Sequence, residues 1–236
     1  MSSHATEVVI IGAGAAGLAA ARLLAESGRQ VIVVEARDRI GGRIFTRHTE
    51  TRAAHVSVPV ELGAEFVHGL PAVSWSLIRE AQLPCVERQG KPYCFDGQLL
   101  EPCDDRLHAA FSVLEGMESF IDRRPPEPDL TFEDYLRAAA IEPASAERAA
   151  AYVEGFNAAD RNLVSATALV RQQRAEDRVE GDRLFHLRSG YDALPRYLAA
   201  QLSRAGGMLL LDSPVRDIEW SKGCVRVRGR GANGAA

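Results

Sequence analysis

Apolar residues fall along this chain in two rhythms. One is the short unbroken run. Val8-Val9-Ile10-Ile11 and Val31-Ile32-Val33-Val34 have the two-sided hydrophobicity of strands in a parallel sheet, and the first reads as a buried strand. The other rhythm has the spacing of helices. It occupies the Ala/Leu-rich stretch from Ala15 to about Ser27, with Gly28 placed as a C-terminal cap. It returns over 72–82 and over 104–122, where Leu107, Phe111, Leu114, Met117, Phe120 and Ile121 recur at helical intervals. Further helices are expected from Thr131, capped with Asp134, to about Ala140, from Ala144 to Phe156, and from Asp192 to Arg204.

Between the helices, residues 56–63 read as extended chain entering a glycine turn, and 184–187 as a strand. Residues 92–100 read as a hairpin around Asp96-Gly97. Arg123-Arg124-Pro125-Pro126-Glu127-Pro128 breaks the pattern as a rigid link. A third apolar run, Met208 to Leu211, follows Gly206-Gly207, and Val225 and Val227 mark one more strand.

The two N-terminal strands and the helix between them form a βαβ unit with a specific connection. Gly12-x-Gly14-x-x-Gly17 follows the first strand directly, and Glu35 closes the second, 18 residues past Gly17 (35 − 17). Gly12 suits the tight turn, Gly14 a close approach to a pyrophosphate, and Gly17 close packing of helix on sheet. The helix N-terminus, with Ala15 in its first turn, offers free N–H groups and the positive end of the dipole. A carboxylate at Glu35 suits ribose hydroxyls and repels a 2′-phosphate. These residues point to a dinucleotide and leave NAD and FAD open. Beyond Glu35 lie Ala36, Arg37, Gly41, Gly42 and Arg43: glycines that let the chain fold back, and guanidinium groups suited to phosphate oxygens.

Composition narrows the classes. With 46% hydrophobic and 25% charged residues the chain has ordinary globular content, and a net charge of −4 gives no electrostatic case for nucleic acid or an anionic membrane as partner. No apolar run reaches the ~20 residues that span a bilayer, and MSSHATE is not a secretory signal. Cys85, Cys94, Cys103 and Cys224 form no CxxC pair and, with the histidines, no metal set; reduced, mostly buried thiols and a cytoplasmic location are expected.

VVIIGAGAAGLAAARLL followed by VIVVEARDRIGGRIFT resembles the N-terminal signature of flavin-dependent amine oxidases, including polyamine and monoamine oxidases. The resemblance implies FAD as cofactor. It assigns Gly12, Gly14, Ala15, Gly17, Glu35, Ala36, Arg37, Gly42 and Arg43 to it. ELGAEFVHG (61–69) is similar to the family segment beside the flavin ring. That likeness places Gly63 and Ala64 at the isoalloxazine, and it puts Glu65, also counted with the cofactor site, and His68 near the substrate side. Val215 inherits a backbone contact to adenine. AYVEGFNAADRNLVSATAL (151–169) is similar to a helical substrate-domain segment of bacterial members, although Tyr152 and Phe156, four apart, need only packing to explain them. Ser189 stands where the family usually has the first of two glycines.

The expected architecture is α/β. A Rossmann-like FAD-binding domain with a parallel sheet is built from 1–70 and 181–236, with a largely helical substrate-domain segment, 71–180, inserted. The resemblance implies oxidation of an amine, with O2 reduced to H2O2. Desaturases and protoporphyrinogen oxidases share much of the motif, and a non-catalytic FAD-fold protein is a third reading. The resemblance covers nearly the whole chain, yet the family's catalytic-site lysine and second FAD segment have no counterpart in it. Asn233-Gly234 signals a hairpin turn with nothing after it. The expectation is therefore an N-terminal portion of a larger flavoenzyme, inactive alone, partnered by the remaining half or by a second copy.

Overall fold

The structure is a computed structural model. It describes residues 4–50, 57–90, 93–95, 98–125 and 128–229. By contacts the chain divides into two units, Met1–Arg88 with Arg183–Ala236, and Gln89–Asp182.

In the first unit β1 (Val8–Ile11), α1 (Ala15–Glu26) and β2 (Val31–Val34) form the expected βαβ unit. The strands pair in parallel with Val8 opposite Val31, and β10 (Met208–Leu210) joins β2 on its other side, giving the order β1-β2-β10. Gly28 has φ +86° just past the end of α1, a conformation in which glycine avoids a Cβ clash. α7 (Ala193–Arg204) packs on the same helix layer. Leu18, Ala21 and Ala25 of α1 share one buried cluster with Leu194, Leu198 and Leu202 of α7 and with Val31 and Val33. Each fully buried leucine contributes about 1.5–3 kcal/mol.

One expectation fails at β1. Val9 is 37% and Ile11 51% exposed, so the strand is buried on one face only. α1 and α7 cover the side that carries Val8 and Ile10. Among the described residues no second layer covers the other side and no strand pairs with the free edge of β1.

The glycine turn at 62–63 is approached by an antiparallel pair, β3 (Thr46–Glu50) with β4 (Ser57–Glu61). The chain then enters a small sheet of order β5-β9-β6: β5 (Val67–His68), β9 (Leu184–Leu187) and β6 (Cys85–Glu87). α2 (Ala72–Glu80) and β6 thus lie in the first unit, whereas the sequence reading begins the helical segment at 71. β11 (Val215–Ser221) and β12 (Cys224–Gly229) close the unit as an antiparallel pair.

The second unit is a helical cluster. α3 (Asp104–Asp122), α4 (Phe132–Ala138), α5 (Pro143–Asn157) and α6 (Ala166–Asp177) surround Val113, Met117, Phe132, Tyr135, Val153 and Val170. Thr131 caps α4 as expected, its Oγ1 accepting the N–H of Asp134 at 3.0 Å. The rings of Tyr152 and Phe156 stack at 5.5 Å, which their spacing alone explains. β7 (Tyr93–Phe95) and β8 (Leu100–Pro102) are the arms of the expected hairpin. Its turn, Asp96-Gly97, lies outside the described residues, as does Asn233-Gly234. Cys103 is disulfide-bonded, which corrects the expectation of reduced thiols, while Cys85 and Cys224 are free.

Candidate functional site

The strongest candidate is the turn between β1 and α1. Gly12 has φ +102°, which only glycine adopts without strain. A Cβ at Gly17 would lie 2.1 Å from the Gly12 carbonyl oxygen, so this glycine holds the helix against the turn. A Cβ at Gly14 would meet nothing within 4 Å. Packing therefore does not require glycine at 14. The open space over it lies at the α1 N-terminus, where no side chain caps the helix. Such a surface is a ready anion site.

Glu35 sits beneath this turn. It is 8% exposed, and its Oε2 accepts the Ala13 N–H at 2.8 Å while Oε1 accepts the Arg37 N–H at 3.0 Å. The carboxylate thus fixes the loop before any ligand arrives and keeps lone pairs for hydroxyl donors. The Ser213 N–H donates to the Glu35 carbonyl at 2.8 Å, and that of Asp212 to the Arg37 carbonyl at 2.9 Å. These bonds draw the start of β11, with Val215, beside the end of β2.

The glycine–arginine stretch folds back over the loop. Gly41 donates to the Ala13 carbonyl at 2.8 Å, and a Cβ at Gly42 would lie 3.4 Å from the Gly14 Cα. Arg37 donates to the Gly42 carbonyl at 3.2 Å. Arg39, which sequence reasoning did not single out, does more of this work. It donates to the carbonyls of Ile40, Gly42 and Ile44 and stacks over the Phe45 ring at 4.3 Å. Arg43 is exposed. Ala15 is partly exposed at the first turn of α1, and Ala36 is exposed just past Glu35.

Gly63 and Ala64 meet this stretch directly. The Ala64 N–H donates to the Arg43 carbonyl at 3.0 Å, and a Cβ at Gly63 would fall 2.1 Å from that same oxygen. Gly63 therefore has a structural reason to be small within the chain itself. Glu61 was also missed. Its carboxylate accepts the Thr46 hydroxyl at 2.6 Å and the Tyr191 N–H at 2.8 Å, tying the β3–β4 pair to the segment that enters α7.

His68 follows five residues after Gly63 (68 − 63), and its side chain lies on the exposed face of the β5-β9-β6 sheet. Phe66 contacts it edge-on at 6.3 Å. Glu65 is half-exposed, 3.8 Å from Nε2 of His186. The structure thus brings the predicted residues into two connected groups: a glycine loop with its carboxylate and folded-back strap, and a sheet face with imidazole and carboxylate groups. Among the described residues no cluster of three His, Cys, Asp or Glu side chains could hold a metal, and no helix is long and apolar enough to cross a membrane.

The family described as flavin containing amine oxidoreductase matches over residues 15–235. Putrescine oxidase of Kocuria rosea is 25% identical over 246 residues, covering 91% of this chain and 49% of that protein. Polyamine oxidase 2 of Arabidopsis thaliana is 41% identical over 70 residues, 30% of this chain and 13% of that protein. A solved structure of wild-type putrescine oxidase bound to putrescine superposes with a TM-score of 0.72 at 20% identity, over 96% of this chain and 55% of that one. That likeness shows the fold. The chain spans about half the length of the putrescine oxidases it matches along nearly all of its own.

Proposed function

Because the chain belongs to the flavin containing amine oxidoreductase family, we propose that it binds FAD and serves the oxidation of an amine by O2. The observation that carries the proposal is the open space over Gly14, framed by the α1 N-terminus, the buried Glu35 carboxylate and the strap from Gly41 to Arg43. The residues fit the cofactor. Loop N–H groups and the helix dipole suit the pyrophosphate, Glu35 the adenosine ribose, and the exposed Arg43 a phosphate oxygen.

FAD, when bound, supplies two-electron oxidation of the C–H bond beside the amine nitrogen, with O2 as final acceptor. The chain's residues hold and orient. Gly63 and Ala64, fixed on the Arg43 carbonyl, present backbone towards the flavin end of the site. His68 stands on the substrate side. The relatives' remaining length, as a further segment or a partner polypeptide, belongs to the catalytic form of this proposal.

Flavin absorbance after reconstitution with FAD tests cofactor binding, and peroxide release over an amine panel tests the reaction. A chain that takes up no flavin refutes the first part. Flavin uptake with no amine turned over, in the presence of the complementary half, refutes the second. His68→Ala is expected to lower turnover while flavin absorbance stays intact.

A further inference from the structure

His186 lies outside every motif of the sequence, yet the fold brings it to the substrate side of the proposed site. In the β5-β9 pairing Val67 stands opposite Phe185 and His68 opposite Leu184. Val67, Phe185 and Leu187 are buried in the core. Alternation along β9 sends His186 to the other face, and its contacts agree: its ring lies 4.4 Å from that of Phe66, which also touches His68. Nε2 of His186 is 3.8 Å from the Glu65 carboxylate, with the two side chains 40% and 50% exposed. The core does not need an imidazole there, because the residues on either side of it make the apolar contacts.

Glu65, Phe66, His68 and His186 thus form one patch directly downstream of Gly63-Ala64. Arg88, one residue past β6, also faces it, its guanidinium 5.8 Å from the centre of the Phe66 ring. Val86, opposite His186 on β6, carries no charge. Alkyl amines travel as ammonium ions near neutral pH. Among the described residues of this patch, the half-exposed Glu65 carboxylate is the anionic group suited to such a cation.

Resting on the amine-oxidising reading above, we infer that Glu65 receives the substrate's ammonium group and that His186 is the positioning residue that holds its carboxylate in place. At 3.8 Å the pair is loose, and a small side-chain rotation brings the imidazole N–H into hydrogen-bond range of one carboxylate oxygen. The second oxygen then faces the incoming cation. An imidazole fixed against Phe66 limits where that carboxylate points, which lowers the ordering cost of binding.

The test titrates putrescine into the full chain and follows the ring proton and carbon shifts of His68 and His186, together with the heat of binding. Wild type is compared with Glu65→Gln, His186→Ala and His186→Gln, with circular dichroism confirming the fold of each. Glu65→Gln is expected to weaken binding by about tenfold or more, as loss of a charge-assisted contact does. His186→Ala is expected to weaken it by about five- to tenfold, while His186→Gln, which keeps an N–H donor, stays within about twofold of wild type. Wild-type affinity in His186→Ala overturns the inference, and so do ring shifts in the wild type that ignore putrescine. Flavin uptake by wild type, His186→Ala and His186→Gln is read separately and is expected to be equal in all three. Its loss in the wild type counts against the FAD proposal, whereas a failed putrescine titration with flavin uptake intact counts against this inference alone.

Discussion

The carboxylate of Glu35 hydrogen-bonds the N–H of Ala13, 2.8 Å away and 22 residues earlier in the chain. The end of the second strand thereby holds the turn that leaves the first. A buried carboxylate with two backbone donors keeps the glycine loop in its binding shape. Glu35→Ala leaves the N–H groups of Ala13 and Arg37 without that acceptor, at a cost of about 1–3 kcal/mol for each group left buried. Lower thermal stability together with lost flavin uptake is expected. Flavin retained at wild-type level in this variant would remove Glu35 from the site.

Gly14 and Gly17 separate binding from folding. Gly14 has φ −74°, which alanine accepts, and a Cβ there enters open space. Gly17 faces the Gly12 carbonyl oxygen, where a Cβ would collide at 2.1 Å. Gly17→Ala should destabilise the chain by about 1–3 kcal/mol, as overpacking does. Gly14→Ala should leave the melting temperature unchanged and weaken FAD binding, because its Cβ stands where the pyrophosphate is proposed to lie. Calorimetry and flavin absorbance on the two variants check this; equal melting losses in both would contradict it.

How far these features were legible in the sequence depends on where their cause lies. The βαβ unit was readable because strand, glycine turn, helix and acidic end follow one another locally. β3 was not. Thr46-Arg47-His48-Thr49-Glu50 has no apolar residue, and it becomes a strand only by pairing with β4 and through the Thr46 bond to Glu61. Gly63 was expected to be small for the sake of a flavin; that a Cβ there would meet the Arg43 carbonyl is a contact 20 residues away in sequence (63 − 43) that no local pattern announces. Arg39 sat in view between Arg37 and Arg43, and only the folded strap shows which carbonyls it gathers. The exposure of Val9 and Ile11 depends on which layers cover the sheet, and an apolar run cannot report that.

Tyr135 provides a pH test of the second unit. Its hydroxyl donates to the Val113 carbonyl at 2.7 Å, and burial pushes its pKa up to about 12. A raised pKa favours the protonated, folded form. The contribution is complete below the unfolded value near 10 and is lost as pH rises through 12. Tyr135→Phe should lose about 1 kcal/mol of stability at neutral pH and should show a shallower stability loss between those two pH values. Identical alkaline slopes in wild type and variant would show that another group governs that limb.

The β11–β12 pair gives the last prediction. Trp220 opposite Val225, and Ile218 opposite Val227, put four apolar side chains on one face of the ribbon. Asp217 opposite Arg228, and Glu219 opposite Arg226, put charge on the other, where Glu219 pairs with both arginines. Trp220 is 81% exposed, and Ile218 and Val225 are also open. Contiguous apolar surface of this kind promotes self-association. The chain has two tryptophans. The other, Trp75, is partly buried against Phe185 and donates its indole N–H to the Gly69 carbonyl at 2.9 Å. Iodide should therefore quench Trp220 and largely spare Trp75, so Trp220→Ser should remove most of the quenchable emission. The same variant keeps the charged face of the ribbon and loses the largest part of the apolar one. Sedimentation should show less concentration-dependent association in Trp220→Ser than in wild type, with the circular dichroism spectrum preserved. If the wild type remains monomeric at every concentration and its emission resists iodide, then this face is covered in solution and carries no self-association.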